Sequence, residues 1–251
     1  MREGGERLVA SLGITPGLEV LDLGCGDGTT ALPSARLGAN VVGIDIARNL
    51  VDAGNRRATE EGLTNCRFEL GDASNLDELR NDSFDLVVSI FGAMFAPEPV
   101  EVAKEMVRVT RPGGRIVMGN WIPDDPTLVA QILKVSSAYS PPPPQGFVSP
   151  MTWGSVETVT DRFAAAGISE EHVSFARETY EFRFPVPPRE LLEDFRSYYG
   201  PTMNAFAAAA ENGRDDELHS ELEALFVAQN TSAQPDRTVI PATYLRVEVI
   251  A

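Results

Sequence analysis

Three aspartates stand where a carboxylate could meet a ligand: Asp22, Asp45 and Asp72. Asp22 lies two residues before the first glycine of Gly24-Cys25-Gly26-Asp27-Gly28, with Thr29 next. Glycines, lacking Cβ, let a backbone turn sharply and lie close against a ligand. The spacing is GxGxG and not the GxGxxG that seats a dinucleotide pyrophosphate at a helix N-terminus. A carboxylate at position 22 would repel a pyrophosphate, yet it suits a ligand with a cationic amino-acid end. Asp45, in Gly43-Ile44-Asp45-Ile46, has the oxygens to accept two hydrogen bonds from ribose hydroxyls. Asp72, in Gly71-Asp72-Ala73, is placed to accept from an adenine amino group. One such aspartate would read as turn chemistry; three at matching positions read as a site. An NAD enzyme would also want Asp45, so Asp22 and Asp72 are the residues that discriminate.

The surrounding pattern supplies the elements that must hold these residues. Residues 18–23, 40–44, 65–70, 84–90 and 115–119 read as strands, and the fourth is nearly all apolar, as expected of a strand buried on both faces. Helical patterns over about 29–37, 47–61 and 100–109 fall between them, and Arg111-Pro112-Gly113-Gly114 reads as a turn. Strands alternating with helices predict a mostly parallel, doubly wound α/β sheet with right-handed crossovers. Beyond Asn120 the rhythm loosens. Residues 127–139 and 155–166 read as helices, 172–185 and 238–250 as strands, and Pro141–Pro144 as polyproline. About fifty residues with two helical patterns separate the last two strands, one marked by Leu191, Leu192, Phe195 and Tyr199 and the other by Leu218, Leu222, Leu225 and Phe226.

The ordered blocks LVASLGITPGLEVLDLGCGDG, VVGIDIA, FELGDAS, FDLVVSIFGAMFAP and VRVTRPGGRIVMGNW, over roughly residues 8–120, resemble class I S-adenosylmethionine-dependent methyltransferases. The likeness holds especially for the methyltransferase-11 group, which includes quinone and small-molecule methylases. The resemblance implies a seven-stranded Rossmann-like sheet with its last strand antiparallel and S-adenosylmethionine as cofactor. It implies that Gly24, Gly26 and Gly28 line the methionine part and that Asp45 holds the ribose. Asp72 and the backbone near Ala73 would hold the adenine, and Ser89 to Phe91 would lie beside the sulfonium. Asp22, Cys25, Thr29 and Ile46, in the same turns, complete the candidate cofactor set. Met94 and Phe95 after the fourth strand, and Asn120 and Trp121 after the fifth, are candidate acceptor contacts.

Composition narrows the classes. The net charge is −16, with acids in excess in both halves, which opposes binding to nucleic acid through a broad surface. No apolar run approaches the ~20 residues of a membrane span, and no leader pattern opens the chain, so a cytoplasmic protein is expected. The two cysteines, Cys25 and Cys66, read as small buried residues, and no cluster has metal-ligand spacing. No catalytic base stands out: His172 reads as structural and His219 as solvated.

Two departures from the family pattern set further expectations. Only about 17 residues precede the first strand, so the helix that lids the cofactor in many relatives is missing, short or supplied by another segment. The long connection before the last strand predicts a helical cap made of residues 121–152 and 186–236 on a single methyltransferase domain, with a homo-oligomer as the rival use of the same apolar side chains. The function expected is methyl transfer to a small, apolar or aromatic acceptor. The alternatives are a non-catalytic binder of S-adenosylmethionine or S-adenosylhomocysteine and, further off, an NAD-dependent oxidoreductase.

Overall fold

The structure, a computed structural model, describes residues 2–251, with side chains from residue 5 onward. It opens on a helix the sequence pattern does not announce, α1 (Arg2–Ala10), followed by β1 (Glu19–Leu23), α2 (Ala31–Arg36) and β2 (Asn40–Asp45). Next come α3 (Arg48–Glu60), β3 (Cys66–Leu70), β4 (Phe84–Ile90), α4 (Pro99–Val109) and β5 (Thr110–Trp121). The remainder is α5 (Leu128–Ser137), α6 (Val156–Ala165), β6 (Val173–Phe184), α7 (Pro188–Tyr198), α8 (Gly200–Glu211), α9 (Asp215–Gln229) and β7 (Thr238–Ile250).

The seven strands form one sheet in the order β3-β2-β1-β4-β5-β7-β6. The pairs β1–β2, β1–β4, β2–β3 and β4–β5 are parallel. The C-terminal ends of β1 to β5 therefore share one edge, and the winding reverses between β1 and β4, where ligand crevices of open α/β sheets form. β7 runs against β5: the Gly113 N–H donates to the Ala251 carbonyl at 2.7 Å and the Ala251 N–H to the Gly114 carbonyl at 3.0 Å. Those two bonds explain one correction. Arg111-Pro112-Gly113-Gly114 is not a free turn but a bulge inside β5, because the end of the chain supplies its backbone with partners. The register against β4 steps from Phe84↔Thr110 to Leu86↔Arg115 across it, and Gly113 takes the positive φ of 77° that such a step needs.

The chain falls into two compact units. The first holds the chain up to Asn120, Val148–Arg177 and Leu245–Ala251. Its core lies under β1, β2 and β4, with Val20, Leu86, Val88, Leu32 and Phe68 buried, and Val9 and Leu12 join the same cluster. The N-terminal segment is thus part of the core rather than a loose lead-in. α4 starts with Pro99 at its first turn, where a missing N–H costs nothing, and buries Val102, Ala103, Met106 and Val109. α6 is capped by the Ser155 hydroxyl, which accepts from the Thr158 N–H, and is closed by Gly167 at φ 91°.

The second unit holds Trp121–Phe147 and Glu178–Tyr244. Its three helices α7, α8 and α9 fill the connection where two helical patterns were expected; α8 carries the Ala207–Ala210 run. Phe195 sits at its centre, edge-on to Phe182 (5.4 Å), Tyr199 (5.4 Å) and Phe226 (5.3 Å). Core packing is the expectation for Tyr198 as for Tyr199 from their place in the insertion, but Tyr198 is exposed to solvent. His219 is not simply solvated: its Nε2 lies 3.0 Å from a Glu193 carboxylate oxygen. Among the described residues no helix is long and apolar enough to cross a membrane.

Candidate active site

The loop after β1 is built by hydrogen bonds to β2. The N–H groups of Gly24 and Cys25 both donate to the Ile44 carbonyl, at 2.8 and 3.1 Å. Asp45, at the end of β2, then ties the loop down from its other side. Its Oδ2 accepts the Gly26 N–H at 2.8 Å, and its Oδ1 accepts the Ala47 N–H at 2.9 Å. Each carboxylate oxygen retains a second lone pair, so Asp45 holds the loop and still has capacity to accept from a ligand hydroxyl. Asp27, the remaining acid of the loop, is paired with Arg57 at 2.7 Å.

The three glycines have different tasks. Each has positive φ, 71° at Gly24, 55° at Gly26 and 96° at Gly28. A Cβ at Gly24 would strike the backbone of Gly92 and Ala93 at 2.7 Å, and one at Gly28 the Phe68 ring at 2.6 Å. At Gly26 it would meet nothing within 4 Å. Gly24 and Gly28 are therefore demanded by packing, and Gly26 is the one that presents bare backbone to open space. Gly5 of α1 lies so close on Thr29 that a Cβ there would collide with its carbonyl. The helix α1 thus packs on Thr29 at the end of the glycine loop.

Asp22 is buried (2% exposed) and its Oδ2 has no hydrogen-bond partner. Burial pushes its carboxyl up to about 7; the Ala31 N–H opposes the rise and the nearby Asp45 adds to it. Both thiols are raised by burial, Cys66 to about 12, which favours the protonated form at neutral pH.

At the other strand ends the arrangement is equally specific. Ser89 donates to the Leu23 carbonyl at 2.6 Å and accepts the Ala93 N–H at 2.9 Å, so it links β4 to β1 and fixes the following turn. Phe91 has φ 59°, a strained value for a bulky residue, and its N–H bonds to Gly119 of β5. Asp72 accepts both the N–H and the hydroxyl of Ser74 on Oδ1, at 2.9 and 2.7 Å, beside Ala73. Ile46 is exposed next to Asp45. In the 3₁₀ turn Ala93–Phe95, Met94 is buried and Phe95 exposed, so Phe95 offers the surface. Asn120 is 1% exposed with both side-chain polar atoms unpartnered. Trp121 falls in the second unit, edge-on to Tyr244 at 6.4 Å, while every other candidate lies in the first.

Sequence reasoning missed Gly92, whose Cβ would strike the Gly24 carbonyl. The dipeptide Phe91-Gly92 at the end of an apolar strand was the available signal. It also missed Arg57, whose pairing with Asp27 depends on how α3 packs.

Residues 14–161 match the family described as a methyltransferase domain. An uncharacterised protein of Mycobacterium tuberculosis is 33% identical over 208 residues, covering 83% of this chain and 73% of that protein. A demethylmenaquinone methyltransferase of Renibacterium salmoninarum is 36% identical over 114 residues, 45% of this chain and 46% of that enzyme. The solved structure of the YcgJ protein of Bacillus subtilis shares the fold, with a TM-score of 0.64 at 18% identity over 100% of this chain and 98% of that one. The chain belongs to the class I methyltransferases, enzymes whose methyl donor is S-adenosylmethionine.

The raised Asp22 makes a pH prediction. A carboxyl whose folded value lies above its unfolded 3.8 costs nothing below about pH 4 and its full penalty above about 7. Asp22→Asn removes a penalty on the order of 4 kcal/mol. Urea unfolding should find wild type and variant similar near pH 4 and the variant clearly more stable at pH 8. A gap that stays constant with pH would show that Asp22 ionises normally in the folded protein.

Proposed function

We propose that this protein transfers the methyl group of S-adenosylmethionine to a small, apolar or aromatic acceptor by displacement at the sulfonium. The observation that carries the reading is the buried Asp22 Oδ2 without a hydrogen-bond partner, at the end of the strand that leads into the glycine loop. An ammonium group supplies the charge that this carboxylate lacks, and no phosphate does. The residues fit the cofactor elsewhere too: Asp45 has lone pairs left for ribose hydroxyls, and the Ser74 bonds to Asp72 leave Oδ2 for an adenine amino group.

The cofactor brings a methyl group already activated for attack, so the protein contributes chiefly proximity and orientation. Asp22 and the loop around Gly26 orient the amino-acid end, and Asp45 and Asp72 with Ala73 orient the nucleoside. Ser89, bonded to Leu23 and Ala93, holds the turn that carries Phe91 in place, and Phe95 and Asn120 are the acceptor contacts in the first unit. An acceptor that is already an anion or an acidic carbon needs no general base. The helices α7 to α9 lie outside the residues that match the family, and a part in acceptor methylation is assigned to them.

Asp45→Ala should weaken binding of S-adenosylmethionine and its demethylated product about tenfold to a hundredfold, the worth of charge-assisted hydrogen bonds. Isothermal calorimetry checks this, and unchanged affinity would reduce Asp45 to a loop tie. Replacing residues 187–236 by a short Gly/Ser linker should leave cofactor binding and oligomeric mass per chain intact while methylation of a panel of small acceptors is lost. An active monomer released from a dimer would show instead that the insertion serves assembly.

A further inference from the structure

Arg162 of α6 is buried, 5% exposed, with its guanidinium 4.5 Å above the ring of Trp153. Its Nη2 donates to the Thr152 hydroxyl at 2.6 Å, and its Nη1 reaches no acceptor. No carboxylate faces it: burial alone pushes its pKa down, to about 10. Trp153 is 1% exposed, and its indole N–H is likewise without an acceptor. A chain with 37 acidic residues has no shortage of carboxylates to set against an arginine, yet this one has none. An isolated buried charge is strongly disfavoured unless it is paired and hydrogen-bonded, and stacking on an indole offsets only part of that cost.

The unmet groups of this pair are both donors, one of them charged. Their chemical complement is an acceptor-only anion, and a planar carboxylate matches the guanidinium fork. The location adds a reason. Trp153 belongs to the 3₁₀ turn Pro150–Gly154, which packs against the turn Ala93–Phe95 directly after β4 in the same unit. That is the turn fixed by Ser89, whose exposed Phe95 is read above as an acceptor contact. We propose that Arg162 and Trp153 bind a carboxylate of the methyl acceptor, which makes the acceptor an apolar or aromatic acid. This rests on the reading of the protein as a small-molecule methyltransferase and names the substrate class within it.

The test uses the full chain loaded with S-adenosylhomocysteine, titrated calorimetrically with benzoate and, separately, with benzamide and inorganic phosphate. Benzoate should bind saturably at millimolar concentrations, and benzamide and phosphate should bind more weakly. Arg162→Met should weaken benzoate about tenfold to a hundredfold and fold at least as stably as wild type, since it removes an uncompensated charge. Trp153→Phe keeps the stack, removes the N–H, and should weaken benzoate about twofold to tenfold. Both variants should bind S-adenosylhomocysteine as wild type does. Absence of benzoate binding, equal binding of benzamide, preference for phosphate, or affinity untouched by both variants would each overturn the proposal. Failure of S-adenosylhomocysteine itself to bind wild type would instead defeat the methyltransferase reading.

Discussion

The backbones of Gly24 and Gly92 meet with no room for a Cβ on either. This contact draws the loop after β1 against the loop after β4, at the place where the sheet reverses its winding. Ser89 reinforces it with one bond to each side, to Leu23 and to Ala93. Asp22, in the strand that leads into this contact, is buried, and Gly26 is the glycine of the loop that faces open space. A side chain at either glycine of the contact would separate the loops and spoil both features together. The geometry of the site thus follows from a steric limit more than from any attractive contact.

That closure has an energetic consequence. Sealing Asp22 without a partner for Oδ2 raises its carboxyl to about 7, close to Asp45 and against the loop's own stability. Phe91, in a left-handed backbone conformation just past β4, is a second local cost. Asp22 is the last residue but one of β1 and Phe91 follows β4, whereas Val20, Leu86 and Val88 of the same strands are buried apolar core. Strain and unmet charge collected at a crevice are what a binding site shows when its ligand completes it.

Much of this was legible in the residues, and what was not has identifiable causes. The strands β1 to β4 and the helices between them declare themselves through local apolar periodicity, and Asp22, Asp45 and Asp72 through their place at strand ends. The Arg111–Gly114 stretch was misread because its strand partner, Ala251, lies at the far end of the chain, and local turn chemistry cannot reveal it. α1 was missed because Gly4 and Gly5 argue against a helix, whereas Gly5 is needed for close approach to Thr29. The significance of Arg162 was invisible for a different reason. A lone arginine on an amphipathic helix reads as solvated until the fold places Trp153 over it and no carboxylate near it. Periodicity reports which face is buried; it does not report which buried groups go unpaired.

The central claim is that a ligand's ammonium group completes Asp22. Calorimetric titration of the wild-type protein with S-adenosylhomocysteine at pH 6, in buffers of different ionisation enthalpy, tests it directly. Asp22 is mostly protonated at that pH when free, given its value of about 7, and pairing with an ammonium requires the carboxylate. The account predicts one saturable site whose binding releases a large fraction of a proton, with affinity rising as the pH approaches 8. Binding with no proton release and no dependence on pH would contradict it.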